Sequence, residues 1–490
     1  MNQDFDFSKP LETDVVIAGA GLPGLVTGAI LAKKGHRVTV VDHAPVVGGR
    51  FGSVQFRDYW LDFGHRDGRG IGDVQVGWSY GQLAAKEADV HVPLKIVDRV
   101  VRIHHLHEGT AKGGHTVTPG RWGEEGFIDL ATKAFGCADE HLQELMITMM
   151  KLARSPVEMH KEMMDVNLRD WLNTEVEEED ARLAVLTMLR VIYSQYPERA
   201  SVGRVMGFFY ENPDLPDPQP AFGAHPTAGG MQGLVQPFAD AIKERGGQIL
   251  LDMQPLEVLY EGDRAVGLLA VNHVHLAVEI RAKAVVLSYP LWEAAPLIGK
   301  AHMDPGWAEL SDKLEDVSAE GICWVAGLKE APRVRTTGEV DDHIGWNRLL
   351  TGPGRAYHGG YHVPTLAVPD MAPDGKHLIH VLLGRWVDKS ESVPWQDFKG
   401  QMSMMRDYLH EFYSNLGDST EWSGFQRVSR PAFLAWAWSG IERHAPRAPN
   451  VKGLYVGGTT VESDGRSLDI APHVGMLTAQ AVQEDLAGSK

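Results

Sequence analysis

The chain is poor in cysteine and lacks long hydrophobic runs. Its 490 residues include only Cys137 and Cys323, which lie far apart and outside any C-x-x-C motif. A disulfide framework or a structural zinc site is therefore not expected, and a reducing compartment fits. Because no run of about 18 apolar residues occurs, no membrane-spanning helix is expected either.

The chain is also short of positive charge. It has 47 basic and 65 acidic residues and a net charge of −18. This balance argues against nucleic acid as a partner and against docking on anionic lipid by bulk charge. The N-terminus MNQDFDFSKP is polar and acidic, unlike a signal or transit peptide, so we expect a cytoplasmic protein. The length predicts two or three domains.

The most informative stretch is DVVIAGAGLPGLVTGAILAKKGHRVTVVD, which ends at Asp42. A short apolar strand leads into Gly19, Gly21 and Gly24, which form a G-x-G-x-x-G motif, and an apolar-periodic helix follows. A second strand then ends in the acid. This order of strand, turn, helix, strand and acid predicts a dinucleotide-binding unit.

Each part of this unit has a physical role. Gly19 permits a tight turn, Gly21 lets the backbone approach a pyrophosphate, and Gly24 lets helix and strand pack closely. Leu22 and Pro23 open the helix, whose first amides can bind phosphate. Asp42 can accept a hydrogen bond from a ribose hydroxyl.

A second element follows Asp42 and carries a family resemblance. Gly48, Gly49 and Arg50 form a Gly-Gly-Arg loop, and a hydrophobic-Asp-x-Gly stretch ends at Gly64. These residues resemble the flavin amine oxidase and phytoene desaturase superfamily. The resemblance implies non-covalent FAD, with the loop beside the flavin and its arginine near the diphosphate or the ring. It also implies cofactor contacts by His43 and His65.

Matches to the same superfamily recur in the middle and at the end of the chain. A Gly-Gly-Met turn precedes a helix and a strand–turn–strand, where the resemblance places the backbone of Leu256 against the adenine. Near the C-terminus, a strand enters the turn at Gly457 and Gly458. The helix that begins at Ile470 is expected to point its positive end, with His473, at the flavin pyrimidine edge.

Two features favour the desaturase branch over the amine oxidases. The C-terminal position that is often acidic in amine oxidases is Thr459 or Thr460 here. In addition, the line LAVPDMAPDGKHLIHVLL resembles a phytoene desaturase signature. No cysteine lies in the C-terminal motif, so a covalent flavin is not expected.

The predicted fold class is α/β. It comprises a Rossmann-like FAD-binding domain of the glutathione reductase type, a mixed-sheet substrate domain and a helical insertion. We assign residues 1–115, 216–298 and 441–490 to the FAD-binding domain. Residues 116–215 are the predicted helical insertion, and residues 299–440 are the predicted substrate-binding domain.

No residue identifies itself as the catalytic base. His65, His358, His362 and His473 can titrate near neutrality and are candidates. The sequence YHGGYHVP and the tryptophans downstream suggest a substrate pocket, although an edge strand explains them equally well. The pocket candidates are Tyr357, Tyr361, Trp436 and Trp438.

The run of His104, His105 and His107 is compatible with metal ligation, but we favour an exposed hairpin and predict no metal site. The segment LMITMMKLARSPVEMHKEMM is rich in methionine, which suits either a helix core or a surface that binds an irregular apolar ligand. Amphipathic helices within 122–210 allow peripheral membrane contact. Oligomeric state is not indicated.

The leading hypothesis is an FAD-dependent dehydrogenase or desaturase that takes a hydride onto flavin N5. Its substrate would be an apolar, alicyclic or isoprenoid small molecule, and oxygen, a quinone or another carrier would reoxidise the flavin. Three alternatives stay open: an amine or amino acid oxidase, a redox-neutral flavin-dependent isomerase, and a non-enzymatic lipid- or prenyl-binding relative. The intact phosphate loop disfavours the last of these.

Overall fold

The computed structural model describes residues 9–62, 78–96, 101–107, 110–117, 128–193, 200–209, 215, 224–226, 229–316, 318–341, 344–350, 356–366, 368–386, 395–434, 442–465 and 469–488. The strands in these ranges are β1 (Leu11–Glu12), β2 (Val15–Ala18), β3 (Val38–Val41), β4 (Ser53–Phe56), β5 (Tyr59–Asp62), β6 (Leu94–Ile96), β7 (Val101–His107), β8 (Thr110–Val117), β9 (Ala224–Pro226), β10 (Gln248–Leu250), β11 (Met253–Glu261), β12 (Arg264–Asn272), β13 (Ala277–Arg281), β14 (Ala284–Leu287), β15 (Ser318–Leu328), β16 (Ile344–Leu350), β17 (Ala356–His362), β18 (His377–Trp386), β19 (Thr420–Leu434) and β20 (Leu454–Val456).

The α-helices are α1 (Leu22–Lys33), α2 (Ser79–Ala88), α3 (Leu142–Ala153), α4 (Val157–Glu162), α5 (Leu168–Glu175), α6 (Glu179–Tyr193), α7 (Val202–Phe209), α8 (Gln232–Glu244), α9 (Leu291–Ile298), α10 (Pro305–Asp316), α11 (Trp395–Phe412), α12 (Leu416–Ser419) and α13 (Ile470–Gly488). A π-helical turn at Leu130–Ala134 precedes α3. No helix among the described residues is both long and apolar enough to cross a membrane.

A five-stranded parallel sheet forms the first domain, in the order β10-β3-β2-β14-β20. Its central strands are short apolar runs that are buried on both faces, as expected for a parallel sheet covered by helices. Val15 and Ile17 face a core with α1, α8 and α13, whereas Val16 and Ala18 face a core with β11–β13, α9 and α10. The predicted α/β fold with a Rossmann-like domain is confirmed.

A four-stranded sheet, in the order β1-β13-β12-β11, packs against the second face of the five-stranded sheet. Its strand β11 begins beside the predicted ribose site, because the amide of Met253 donates to the carbonyl of Asp42 (2.9 Å). The strands of the five-stranded sheet come from three separate stretches of the chain.

The substrate domain is built on a seven-stranded mixed sheet in the order β19-β15-β18-β17-β16-β7-β8. Strand β7 and most of β8 lie in the predicted first part of the FAD-binding domain, at 1–115, yet β7 pairs in parallel with β16 of the substrate domain. The predicted boundary at residue 115 is therefore wrong, since the chain enters the substrate sheet by Val101. The predicted histidine hairpin does form from these strands.

One face of the seven-stranded sheet packs against α11. Trp324, Tyr361 and Ile379 lie in this core with Met402 and Met405 of the helix. Side chains alternate along strands, so Cys323, Val325, His362 and His380 point to the opposite face, and all four are buried. This second face also carries Leu378, which packs with Tyr59 and Leu61 of the β4–β5 hairpin.

Beyond the end of β8 at Val117, the described residues of the predicted insertion are mainly helical. Helices α3 and α5–α7 share one apolar core, which includes Leu145, Leu172, Val185 and Val205. Several methionines of the segment are only partly buried, and Met150 and Met159 are exposed. The methionine-rich stretch thus contributes both to the packing and to the surface of the insertion.

Candidate cofactor and substrate site

The phosphate turn has the backbone that its glycines predict. Gly19 adopts φ +106°, a left-handed value that glycine tolerates without strain. A methyl group on Gly24 would lie 2.2 Å from the Gly19 carbonyl oxygen, so only glycine fits there. Gly21 differs, because among the described residues its methyl group would meet only Pro23 Cδ, at 3.8 Å. The described residues thus leave space at Gly21, which fits a pyrophosphate at the start of α1.

Asp42 is buried and held in one orientation. Its Oδ2 accepts from the amide of Ala20 (2.6 Å), and its Oδ1 accepts from the amide of Ala44 (2.8 Å). The Nδ1 of His43, an exposed residue, lies 3.3 Å from the same Oδ1. The carboxylate therefore joins the phosphate turn to the end of β3, where a ribose would sit.

The Gly-Gly-Arg loop lies directly on the phosphate turn. The amide of Gly48 donates to the Ala20 carbonyl (2.7 Å), and Gly49 approaches the Cα atom of Gly21. Arg50 follows in a short 3₁₀ turn. Burial lowers the pKa of Arg50 from its usual value, and the neighbouring Glu293 opposes this shift. The loop thus brings a cation to the edge of the phosphate site.

Asp62, in the predicted hydrophobic-Asp-x-Gly stretch, joins two of the recognised elements. Its Oδ1 accepts from Ser53 Oγ (2.6 Å) and from the amide of Met231 (3.0 Å). Ser53 Oγ in turn accepts from the amide of Gln232 (3.0 Å). The β4–β5 hairpin is therefore fixed to the Gly-Gly-Met turn that starts α8. Gly64 and His65 lie outside the described residues.

A segment that the sequence did not single out, 288–290, crosses between two glycine motifs. The Tyr289 ring lies against Gly19, and a methyl group on Gly458 would lie 1.9 Å from the Tyr289 carbonyl oxygen. The N-terminal and C-terminal motifs therefore meet on the same three residues. In the sequence, the only indication that this segment belongs to the site is its position directly after the buried strand β14.

The C-terminal turn carries a hydrogen-bonded network in place of an acid. Thr460 is fully buried, and its Oγ1 accepts from the amide of Leu291 (3.1 Å). The hydroxyl proton then donates to His444 Nε2 (2.7 Å), and His444 Nδ1 donates to the Ala445 carbonyl (2.8 Å). This arrangement requires neutral His444 with its proton on Nδ1. Sequence reasoning missed His444, which no motif marks.

The buried state of His444 predicts a pH-dependent stability. Burial lowers its pKa to about 4, from an ordinary value near 6.5. In the unfolded chain, His444 is therefore protonated below about pH 6.5, whereas in the folded chain it is protonated only below about pH 4. The stabilisation is complete above pH 6.5 and is lost as the pH falls, by roughly 2 kcal/mol at pH 5.

Urea unfolding of the wild type and of His444→Gln between pH 8 and pH 5 measures this effect. The wild type is expected to lose stability relative to the variant as the pH falls. Parallel curves for the two proteins over this range would contradict the assignment of a neutral, buried histidine.

His473 lies in the first turn of α13, stacked on Tyr80 with 3.9 Å between ring centroids. Ser463 Oγ accepts from the amide of Gly465 (3.0 Å) and is also hydrogen-bonded to His473 Nδ1 (2.9 Å). Burial lowers the pKa of His473, which favours the neutral imidazole. Ser463 and Tyr80 together hold the ring in place at the start of α13.

The start of α13 is fixed by a residue that no sequence pattern marked. Asp469 accepts from the amides of Tyr80 (3.1 Å) and Gly81 (3.0 Å) at the start of α2. Ile470, the first residue of α13, is buried beside it.

The remaining predicted residues fall in different places. Tyr361 packs in the core against α11, with its ring 6.0 Å from that of Tyr413, so its predicted place in a pocket is corrected to a packing position. His362 points to the other face, where its ring lies 5.7 Å from that of His380. For Tyr357 and His358 the structure describes only the strand β17, and Trp436 and Trp438 lie outside the described residues.

Leu256 is exposed and lies at a bulge in β11, where the register shifts between Pro255 and Glu257. The side chain of Pro255, by contrast, is buried. The predicted adenine contact through the Leu256 backbone stays a prediction.

Comparison with known proteins identifies the family. Residues 17–67 match the family model of the NAD(P)-binding Rossmann-like domain, and residues 139–483 match that of the flavin containing amine oxidoreductase. The second match covers most of the chain. The chain belongs to the flavin-containing amine oxidoreductases. The predicted family, the FAD cofactor and the assignment as an FAD-dependent oxidoreductase are thereby confirmed.

Relatives of this flavin-containing amine oxidoreductase include two chloroplastic proteins of an Oncidium hybrid cultivar, prolycopene isomerases 1 and 2. Each is 21% identical over 441 residues, which cover 81% of this chain and 68% of the relative.

Solved structures share the fold. An oxidoreductase from Methanosarcina mazei has a TM-score of 0.66 at 19% identity and covers 96% of this chain and 100% of its own. Cyclohexylamine oxidase from Brevibacterium oxydans has a TM-score of 0.60 at 14% identity, with 97% and 99% covered. Putrescine oxidase bound to putrescine gives the same four values.

Proposed function

We propose that the protein is an FAD-dependent dehydrogenase or desaturase that removes a hydride from a C–H bond of an apolar, alicyclic or isoprenoid molecule. The observation that carries the proposal is Thr460. The position that is often acidic in amine oxidases is Thr459 or Thr460 here, so it carries no acid in either case, and the Thr460 hydroxyl is already hydrogen-bonded to Leu291 and His444. The similarity to prolycopene isomerases supports an isoprenoid as the substrate.

FAD, when bound, supplies the hydride acceptor at flavin N5. The chain's own part is to bind and orient the cofactor. We assign phosphate binding to the first amides of α1 and to Arg50, and ribose binding to Asp42. The cofactor contacts predicted for Leu22, Pro23, Gly49, Thr459 and Ile470 belong to the same proposal.

The substrate is proposed to lie between this cofactor site and the second face of the seven-stranded sheet. The described side chains on that face are largely apolar, and Val325 and Leu378 are among them. His362 and His380 are the titratable groups described there. His473, whose Nδ1 is hydrogen-bonded to Ser463, stays a candidate for a contact with substrate or cofactor and for the catalytic base.

Anaerobic titration of the purified holoenzyme tests the proposal. An isoprenoid polyene is expected to bleach the flavin band at roughly 450 nm, whereas cyclohexylamine should leave it unchanged. Bleaching by the amine alone would contradict the proposal and favour the oxidase. Geometric isomerisation of the polyene without net bleaching, followed by chromatography, would favour the redox-neutral isomerase.

A further inference from the structure

Two arginines and one glutamate meet where the helical insertion contacts the C-terminal glycine turn. Arg204 lies on α7, and its Nη1 and Nη2 are 3.4 and 3.3 Å from Glu462 Oε1 and Oε2. The Arg204 side chain is only 10% exposed, whereas that of Glu462 is 53% exposed. This ion pair joins the insertion to the FAD-binding domain.

Arg443 lies beside this pair and is only partly satisfied. Its Nη1 donates to the carbonyl oxygen of Thr459 (2.9 Å). Its Nη2 is shielded from solvent and has no hydrogen-bond partner among the described residues. A buried, charged N–H group without an acceptor is costly. The site therefore lacks one acceptor.

The charge balance points to the same conclusion. Two guanidinium groups face one carboxylate, so the cluster of Arg204, Arg443 and Glu462 carries an excess of one positive charge. Burial and the neighbouring Arg204 lower the pKa of Arg443 to about 9, which still leaves it protonated at neutral pH. One further negative charge would balance the cluster, which suits a carboxylate better than a phosphate dianion.

The position of Arg443 is fixed relative to the cofactor turn. Thr459, whose carbonyl it binds, directly follows Gly457 and Gly458. The next residue, His444, forms a parallel bridge with Val461, and its carbonyl accepts from the amide of Glu462 (3.0 Å). An anion at Arg443 would therefore lie between the glycine turn and the insertion.

We propose that Arg443, oriented by the Thr459 carbonyl and flanked by Arg204, binds a carboxylate group of the substrate. The inference rests on the proposed function and makes it narrower: the substrate combines an apolar skeleton with one carboxylate. Nothing in the family match or in the relatives' names assigns such a group.

The test is isothermal titration calorimetry of the oxidised holoenzyme with cyclohexanecarboxylate and with its neutral counterpart cyclohexanecarboxamide. The wild type is expected to bind the carboxylate at least about tenfold more tightly, as for a hydrogen bond to a charged group. Arg443→Gln should abolish this preference. Arg406→Gln, on the surface of α11 beside Asp407, removes the same charge elsewhere and should retain it.

Two further variants keep the test decisive if Arg443→Gln does not fold. Arg204→Gln should weaken the preference, because Glu462 would then balance Arg443. Glu462→Gln should strengthen it. Equal binding of acid and amide by the wild type, or an unchanged preference in Arg443→Gln, would overturn the proposal.

An Arg443→Gln protein that loses FAD but keeps the preference would also overturn it, since the charge would then serve the cofactor. The assay needs no turnover. Its result is therefore independent of which C–H bond, or which class of substrate, reduces the flavin.

Discussion

Replacing Gly24 by alanine is expected to yield a protein that no longer retains FAD. The new methyl group would lie 2.2 Å from the Gly19 carbonyl oxygen and 2.9 Å from Ser288 Oγ. Overpacking of this kind typically costs about 1–3 kcal/mol, and here a backbone atom must move. Relief therefore displaces the first turn of α1, whose amides form the phosphate site. The ratio of flavin to protein absorbance after desalting measures the loss.

Gly400→Ala is the matched control. Gly400 lies within α11, and no atom of the residues that the structure describes lies within 4 Å of the position of its added methyl group. Alanine is favoured over glycine in a helix by roughly 0.5–1 kcal/mol, so this variant should keep its flavin and melt at the same or a slightly higher temperature. If the Gly24→Ala protein retained as much flavin as the wild type, the phosphate turn could accommodate the methyl group without losing the cofactor site, and the prediction would be wrong.

The sequence was most informative where a local pattern and a backbone requirement coincide. The helix predicted after the Gly-Gly-Met turn is Gln232–Glu244, and the helix predicted to begin at Ile470 is Ile470–Gly488. The same patterns could not show which strands pair. The apolar residues of β7 alternate imperfectly, and its sequence is compatible with a strand of either domain. Its partner β16 lies far along the chain, so the sequence could not show the pairing, and the predicted boundary at residue 115 is wrong.

The residues of the site likewise fall into those that a local pattern predicts and those that only the fold brings together. The glycines and Asp42 were predictable because turn geometry and cofactor chemistry demand them locally. The contact of Thr460 with His444 joins residues from different loops, and no periodicity reports such a contact. Tyr361 and His362 are adjacent on one strand, so they face opposite sides. Only the position of α11 decides which of the two enters the sheet–helix core.

Asp62→Ala is expected to destabilise the fold and to loosen the cofactor site. The substitution leaves two buried donors, Ser53 Oγ and the amide of Met231, without their acceptor. Each such loss costs about 1–3 kcal/mol, so the free energy of unfolding should fall by about 2–6 kcal/mol. The Gly-Gly-Met turn and the β4–β5 hairpin would then separate. Urea unfolding, together with flavin content, measures both effects.

Asp62→Asn separates the two hydrogen bonds from the charge. The amide keeps an oxygen at the position of Oδ1, and its NH₂ group replaces Oδ2, which has no hydrogen-bond partner among the described residues. If the two bonds to Oδ1 hold the hairpin to α8, this variant retains most of its stability and its flavin. If it is as unstable as Asp62→Ala, the negative charge itself is required, and the hairpin is held by electrostatic attraction to the start of α8 rather than by two directed bonds.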